Sequence, residues 1–266
     1  IALAHNPERW MHLVAELDEL IDKKNIHPND VYFVYQTLIG AFPLDDIDFK
    51  QFKVRVEDYL EKVLREAKRR SDWAKPDSNY EETVGRFASS LVERISKSDT
   101  LQQIPSEIID DGLFNSLLQT VLKLTSPGIP DIYQGTELWD FSLVDPDNRR
   151  PVDYNLRSKL LKNFSKEHNL SHLWESRKTG KIKLWLTQQL LTIRKTNKSL
   201  FDEGKYIPVK VRGKLKEHVL SYIREYEGEK ILIVLPLGLG AAEDLLKTDW
   251  RNTALQLKST HLGEWK

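Results

Sequence analysis

Apolar residues return every three or four positions through the first half of the chain, from residue 6 to residue 125. This spacing puts them on one face of a helix, so it predicts a series of amphipathic α-helices. The apolar faces begin at Trp10, Val31, Phe52, Val84 and Leu113. The first half of the chain is therefore predicted to be mainly helical.

Capping residues indicate where two of these helices begin. Asn29 can cap the second helix, which should end before Pro43. Ser78 and Glu81 have the spacing of a capping box, in which the two side chains satisfy each other's backbone N–H groups. We expect the fourth helix to start there.

The pattern changes after residue 125. Gly128–Tyr133 is a short apolar run between helix breakers, which predicts a brief buried strand. A long loop should follow to about Tyr154. One further helix is expected at Ile182–Asn197, where the helical spacing returns.

Alternating apolar and polar residues indicate strands from Tyr206 onward. The predicted strands are Ile207–Val211, Val219–Tyr226 and Ile231–Leu235, with a turn containing Gly228 between the last two. The chain should therefore close with an antiparallel β domain.

Composition narrows the classes of partner. Lys and Arg together number 40 and Asp and Glu number 40, so no net field would draw the chain to nucleic acid or to an anionic membrane. The absence of cysteine excludes disulfides and thiolate zinc sites. No apolar run reaches the ~20 residues of a membrane span, and no secretory leader opens the chain. A neutral or small partner and a cytoplasmic location are expected. Because the chain begins with Ile1, we also expect a fragment.

Most of the candidate chemistry lies between Leu124 and Tyr154. A turn in this segment is rich in acids and arginines, namely Asp145, Asp147, Asn148, Arg149 and Arg150. A guanidinium group offers five donors in fixed geometry and can bind a carboxylate or sugar hydroxyls. The competing interpretation is a turn held by an internal Asp–Arg pair, since such surface pairs are common and weak. The aromatic residues Tyr133, Trp139 and Tyr154 favour a sugar, whose C–H faces stack on rings.

Two patterns have a superficial likeness to metal sites. Asp145-x-Asp147-Asn148 starts like a calcium loop but lacks the glycine and the distal glutamate that such loops need. His168 and His172 have helical i, i+4 spacing, without an intervening glutamate in the required place or an obvious third ligand. No metal site is expected.

Several motifs resemble one enzyme family. The segment from Pro127 to Tyr154 resembles the end of an α-amylase-superfamily barrel, and YQGTELW at 133–139 and LVDPDNRRPVD at 143–153 are similar to the maltooligosyl trehalose synthases. VYQTLIGAFP at 34–43 agrees with that family. Further agreement comes from REAK at 65–68 with Ser71, Trp73, Pro76, Tyr80 and Glu81, and from KLWLT at 183–187 with Phe201, Gly204 and Tyr206. The resemblance covers most of the chain.

The resemblance implies an α+β fragment of a larger enzyme. Residues 1–110 would be a helical insertion subdomain. Residues 111–200 would be the end of an α-amylase-type (β/α)8 catalytic barrel, with strand eight, a long loop and the last helix. Residues 201–266 would be an incomplete C-terminal antiparallel β domain. The catalytic carboxylates of the family lie on strands four, five and seven, upstream of the position that corresponds to Ile1. We therefore expect no catalytic residue in this chain, and the missing N-terminal part as its partner.

The resemblance also implies a reaction. The parent enzyme would be a (1->4)-alpha-D-glucan 1-alpha-D-glucosylmutase of trehalose biosynthesis. It would convert the reducing-end α-1,4 linkage of a maltooligosaccharide into an α,α-1,1 linkage, with no cofactor. The isolated chain is expected to be inactive.

The same resemblance assigns substrate-binding roles. Arg149 is the first candidate for contact with sugar hydroxyls, helped by Asp147 and Asn148. The floor and wall of the site would be formed by Tyr133, Gln134, Glu137 and Trp139. Arg150 either contacts sugar or pairs with a buried acid, and Glu137 has a structural role as its alternative.

Three other functions remain open at this point. Another α-amylase-superfamily enzyme would share the strand-eight pattern but should lack the stretches at 35–43 and 65–81. A non-catalytic glucan-binding module is the second alternative. A structural or interaction domain is the third, and it would leave Arg149 exposed and packed against nothing.

Overall fold

The structure is a computed structural model that describes Ala4 and residues 7–44, 48–145, 147–164, 169–238 and 248–257, with the side chains of 99–107 left out. The chain forms two compact units. The helical unit comprises residues 7–110 and 139–157, and the mixed unit comprises residues 1–6, 111–138 and 158–266. Each unit is described by itself.

The helical unit confirms the helical prediction for the first half of the chain. It contains α1 (Pro7–Leu20), α2 (Pro28–Gly40), α3 (Phe49–Ala67) and α4 (Ser78–Ser96). The next helix, α5 (Asp99–Thr125), begins in the helical unit and ends in the mixed unit.

The predicted apolar faces form the core of the helical unit. In α3 the buried side chains recur every four residues, at Phe52, Val56, Leu60 and Leu64. Burying an apolar side chain of this size contributes about 1.5–3 kcal/mol to stability. The residues that recur at helical spacing are thus the ones that pack in the core of this unit.

Helix α2 does not use the predicted cap. Its N-cap residue is His27, which precedes Pro28 at the first helical position. The His27 Nδ1 accepts a hydrogen bond of 3.2 Å from the backbone N–H of Asn29. The prediction of Asn29 as the cap was wrong because the proline, which needs no N–H partner, sets the helix start two residues earlier.

Helix α4 also begins without the predicted capping box. Asp77 is the N-cap, and its carboxylate accepts a hydrogen bond of 3.0 Å from the backbone N–H of Tyr80. Ser78 is the first helical residue rather than the cap. The carboxylate of Glu81, which a capping box needs, is bound to Arg65.

The mixed unit combines short helices with small antiparallel sheets. After α6 (Tyr154–Asn163), which begins in the helical unit, come α7 (Leu170–Glu175), α8 (Lys181–Thr196) and α9 (Lys198–Asp202). Helix α8 confirms the helix predicted at Ile182–Asn197. The sequence pattern had not predicted α6, α7 and α9.

The strands are antiparallel, as the alternating pattern predicted, but they form two sheets: the strand predicted at Ile207–Val211 is divided between them, and the strand at Ala254–Gln256 was not predicted. One sheet has the order β1-β3-β4, formed by β1 (Lys205–Pro208), β3 (Val219–Tyr226) and β4 (Glu229–Pro236). The second pairs β2 (Lys210–Arg212) with β5 (Ala254–Gln256). Residues 239–247 and 258–266 of the predicted β domain lie outside the described residues.

Two glycines meet local backbone requirements in this unit. Glu227 and Gly228 join β3 to β4 with φ of 47° and 90°, the positive pair that a two-residue type I′ hairpin turn needs. At Gly204 a Cβ atom would lie 2.0 Å from the carbonyl oxygen of Leu200. Only glycine permits that approach.

No strand forms at Gly128–Tyr133, so the prediction of a buried strand was wrong. These residues follow α5 as irregular backbone, and Ile129 is 100% exposed. A parallel barrel strand is stable when neighbouring strands and covering helices bury it. The described strands pair only antiparallel and form no closed barrel, so this apolar run has no parallel neighbour to join.

Candidate functional site

Asp147 anchors the acid-rich turn to helix α3 of the helical unit. It begins a 3-10 helix, Asp147–Arg149, and its side chain is only 7% exposed. The Arg55 guanidinium binds this carboxylate at two points, with Nε to Oδ1 and Nη2 to Oδ2 both 2.9 Å. The backbone N–H of Leu143 donates a third hydrogen bond of 2.7 Å to Oδ2. The turn is therefore fixed from inside.

The charge of Asp147 is stabilised by these donors. Burial by itself would raise the pKa of the Asp147 carboxyl, because the charged form loses water. The hydrogen bonds from Arg55 and from the backbone N–H of Leu143 outweigh burial, so the pKa lies below its usual value. Asp147 is thus an ionised structural anchor.

Arg150 fastens the same turn from the other side. Its Nε donates to the carbonyl oxygen of Asp147 at 3.0 Å and lies 3.0 Å from Oδ1 of that residue. Its Nη2 donates to Oγ of Ser142 at 3.0 Å. Arg150 is thus paired with a buried acid, and its contact with sugar stays a prediction.

Arg149 occupies a different environment. Its side chain is 73% exposed, and its Nη2 donates to Oδ2 of Asp145 at 3.0 Å. Lys62 Nζ lies 3.9 Å from the same Asp145 oxygen. Asn148 is also exposed. The turn therefore exposes the Arg149 guanidinium and the Asn148 amide to solvent, while the Asp147 carboxylate is buried.

The other predicted site residues are divided between the two units. Trp139 is half-buried in the helical unit, whereas Tyr133, Gln134 and Glu137 belong to the mixed unit. Glu137 accepts a hydrogen bond of 3.0 Å from the backbone N–H of Gly135, so it stabilises its own turn. Tyr133 and Gln134 are exposed.

A second polar network in the helical unit explains the motif at 65–81. Arg65 binds both oxygens of Glu81, at 2.9 and 2.8 Å, and its guanidinium carbon lies 5.0 Å from the ring centre of Trp73. Ser71 also donates to Glu81 and accepts from the backbone N–H of Asp77 at 2.9 Å. The Arg65 hydrogen bond holds the pKa of Glu81 below its usual value.

The same motif ties helix α4 to helix α2. Tyr80 donates a hydrogen bond from its hydroxyl to Asp30, and Arg70 Nη1 lies 3.1 Å from Asp30 Oδ2. Burial and the bond to Asp30 raise the pKa of Tyr80 to about 12. These motif residues therefore form a connected packing network.

Sequence reasoning missed Arg55. It lies on α3 at 92 positions from its partner Asp147, and nothing in the local pattern marks it. A hydrophilic residue between Phe52 and Val56 reads as part of a solvated helix face. Only the fold brings it to the turn.

Neither metal nor membrane features emerge from the part of the chain that the structure describes. Within the described ranges, no group of three or more His, Asp or Glu side chains is arranged to hold a metal ion. The metal pattern considered at His168 involves a residue outside those ranges. Among the described helices, none combines the length and apolarity needed to cross a membrane.

Comparison with known proteins gives no match to a protein-family model. Two curated relatives, both named putative maltooligosyl trehalose synthase, come from the CDC 1551 and H37Rv strains of Mycobacterium tuberculosis. Each is 32% identical over 233 residues, which is 88% of this chain and 27% of the relative.

Solved structures give the same result. A crystal structure of maltooligosyl trehalose synthase has a TM-score of 0.79 at 32% identity, over 91% of this chain and 32% of the other. The maltooligosyltrehalose synthase from Arthrobacter ramosus has a TM-score of 0.73 at 31% identity, over 96% of this chain and 31% of the other. The chain thus spans about a third or less of the length of the proteins it matches. Because the likeness extends over most of this chain, the resemblance predicted from the motifs is confirmed, and the chain is homologous to a part of maltooligosyl trehalose synthase.

Proposed function

We propose that this chain is part of a (1->4)-alpha-D-glucan 1-alpha-D-glucosylmutase, an isomerase of trehalose biosynthesis, and that its own task is to bind glucan. The proposal is supported by the names of the relatives, which match from 88% to 96% of the chain. The substrate would be a maltooligosaccharide. The reducing-end α-1,4 linkage would become an α,α-1,1 linkage.

Retention of the α configuration requires two displacements at the same anomeric carbon. One carboxylate attacks that carbon while a second, ~5–5.5 Å away, protonates the departing oxygen of the terminal glucose. The released glucose then turns, and its anomeric hydroxyl attacks the anomeric carbon of the glycosyl-enzyme, which displaces the first carboxylate, while the second carboxylate accepts the proton of that hydroxyl. Isomerisation prevails over hydrolysis only if the glucose is held and water is kept away.

We assign these carboxylates to a part of the enzyme that precedes this chain. The family places them on barrel strands four, five and seven. On the same mapping, residues 1–110 are a helical insertion, 111–200 the end of the barrel and 201–266 a C-terminal domain. The chain alone should therefore be inactive.

One observation carries the binding role of this chain. The buried Asp147–Arg55 pair fixes the turn, while the turn leaves the Arg149 guanidinium 73% exposed. An arginine oriented by Asp145 can donate several hydrogen bonds to sugar oxygens, and a rigid turn reduces the entropy lost when it does so. Exposed Asn148 offers a donor and an acceptor beside it.

The interaction-domain alternative receives less support. It expected an Arg149 packed against nothing, whereas Arg149 is ion-paired with Asp145. The bonds to Arg55 and Ser142, however, give the Asp145–Arg150 turn a structural reason, which removes one objection to that alternative. What favours the binding role is the Arg149 guanidinium, which Asp145 orients and which stays 73% exposed.

The proposal can be tested with purified maltopentaose. The complete protein that contains this chain should consume reducing ends without releasing glucose in equal amount, and the chain alone should leave the reducing ends unchanged. Unchanged reducing ends with the complete protein would contradict the activity. A non-reducing product from the chain alone would contradict the assignment of the carboxylates.

Calorimetric titration of the chain with maltopentaose tests the binding role separately. Binding by the chain, with no turnover by the complete protein, would support the non-catalytic glucan-binding module instead. If neither the chain nor the complete protein binds maltopentaose, both the glucosylmutase function and the glucan-binding function are contradicted.

A further inference from the structure

Two arginines meet at the end of helix α5 in the mixed unit. The last carbonyl groups of a helix have no partner within the helix, and they form its negative end. Arg194 of α8 donates from Nη1 to the Leu124 carbonyl at 2.9 Å. Arg224 of β3 donates from Nη1 to the Thr125 carbonyl at 3.1 Å. The helix end is therefore capped by two cations from elsewhere in the unit.

Arg224 is unusual because it is buried with neutral acceptors. It is only 1% exposed, and its Nη2 donates to the carbonyl oxygens of Phe201 and Gly204, both at 2.9 Å. Its Nε has no hydrogen-bond partner among the described residues. Burial lowers the pKa of Arg224, and the nearby charge of Arg194 lowers it further. The helix end compensates by placing negative partial charge beside it.

Arg194 reaches beyond the helix end. Its Nη2 donates to the Gly128 carbonyl at 3.2 Å, so one guanidinium bridges the last turn of α5 and the segment that follows. The guanidinium carbons of Arg194 and Arg224 lie 4.9 and 5.7 Å from the ring centre of Phe201. We call these three residues the arginine clamp.

The segment held by the clamp carries predicted sugar contacts. Residues 126–138 leave α5 at Thr125 and lead to Tyr133, Gln134 and Glu137. Further along, the segment has its own turn, in which the Thr136 N–H donates to the Tyr133 carbonyl at 3.1 Å. The turn orders its own residues, whereas the Arg194 bond to Gly128 ties the start of the segment to α8. A change of direction at Gly128 would displace everything beyond it.

We propose that Arg194 is a positioning residue for glucan binding, because it sets the direction in which residues 126–138 leave helix α5. The proposal rests on the proposed function, in which Tyr133, Gln134 and Glu137 contact sugar. It gives helix α8 a part in substrate recognition through the segment that Arg194 holds.

The test replaces Arg194 with methionine, which retains an apolar chain over Phe201 but removes both donors. Arg177→Met is the matched control, since Arg177 also lies over a ring, 5.0 Å from the centre of Trp174, and donates to a carbonyl at 3.2 Å. Hydrogen exchange in the chain should become on the order of tenfold faster in the peptide 126–138 for Arg194→Met, given the usual worth of a charged hydrogen bond. Arg177→Met should leave that peptide at the wild-type rate.

Activity of the complete protein gives the second readout. With maltopentaose, Arg194→Met should lower kcat/KM on the order of tenfold and raise the share of substrate that is hydrolysed. Arg194→Lys keeps one charged donor group, so its kcat/KM should lie between those of wild type and Arg194→Met. Wild-type exchange in 126–138 would overturn the clamp, and so would faster exchange with unchanged kcat/KM and product ratio. If the complete wild-type protein fails to convert maltopentaose, the proposed function fails, and the exchange comparison alone decides whether Arg194 orders the segment.

Discussion

Arg55 and Asp147 form a bidentate ion pair across 92 positions of sequence, with both nitrogen–oxygen distances at 2.9 Å. The pair is largely shielded, since the two side chains are 14% and 7% exposed. A shielded pair of this kind adds little to the stability of the fold, relative to a variant in which both partners are replaced by apolar residues. Loss of one partner is different, because the remaining charge stays buried.

We expect Arg55→Met to lower the free energy of unfolding by about 3 kcal/mol, since it leaves the Asp147 carboxylate buried without its main donor. Urea unfolding followed by circular dichroism measures the change. Lys53→Met is the control, because Lys53 lies on the same helix and pairs with exposed Glu93. The control should change the value by less than about 1 kcal/mol. Equal effects of the two variants would contradict an anchoring role for Arg55.

The free energy of unfolding should decrease at acidic pH, because Asp147 becomes protonated there. Its pKa in the folded chain is below the ordinary value of 3.8, so the unfolded chain binds this proton more readily. The stabilisation is fully present above about pH 5 and is lost as the pH falls through 3.8 and then through the lower folded pKa. The gap in unfolding free energy between wild type and Arg55→Met should therefore narrow from pH 6 to pH 3.

Glu81 has a lowered pKa as well, from 4.5, and its loss acts in the same direction in wild type and in Arg55→Met. Comparing the two proteins therefore isolates Asp147. A gap that stays constant over this pH range would show that the charge of Asp147 does not depend on Arg55.

Arg149 and Arg150 should respond differently to alanine substitution. In the complete protein, Arg149→Ala should reduce turnover of maltopentaose on the order of tenfold or raise the hydrolysed share, because an exposed donor to sugar is lost. Its effect on stability should be small. Arg150→Ala should instead destabilise the chain by about 1–2 kcal/mol, since its bonds to Asp147 and Ser142 hold the turn. Wild-type turnover and product ratio for Arg149→Ala would remove its binding role.

The start of helix α4 provides a direct comparison of neighbouring residues. Asp77→Ala should cost about 1 kcal/mol, because the Asp77 carboxylate caps the Tyr80 N–H. Ser78→Ala should be nearly neutral, as Ser78 is the first helical residue. Unfolding in urea distinguishes the two. A larger effect at Ser78 would restore the capping box that the sequence suggested.

Periodic patterns predicted the parts of the fold that depend on local geometry. The apolar faces of α2 and α3 are buried because residues three and four apart share one side of a helix, as with Val34 and Leu38, both 0% exposed. The turn at Gly228 followed from the same kind of local rule. These features need no knowledge of distant residues.

Features that depend on distant partners were missed. Asp77 rather than Ser78 caps helix α4, and the Glu81 carboxylate that a capping box would use is bound to Arg65 on another helix. The strand predicted at Gly128–Tyr133 required parallel neighbours that the described residues do not contain. The anchor of the candidate site required Arg55, and no local pattern distinguishes that residue from the other charged residues of helix α3.

The helical unit is discontinuous in sequence, and this affects how the chain can mature on the ribosome. Residues 7–110 are synthesised first, and the unit receives residues 139–157 only after 28 further positions have been added. At typical elongation rates Asp147 follows Arg55 by about 5–20 s. Closing so long a loop is also entropically slow. Until Asp147 has been synthesised, the Arg55 guanidinium lacks the carboxylate that it binds in the folded unit.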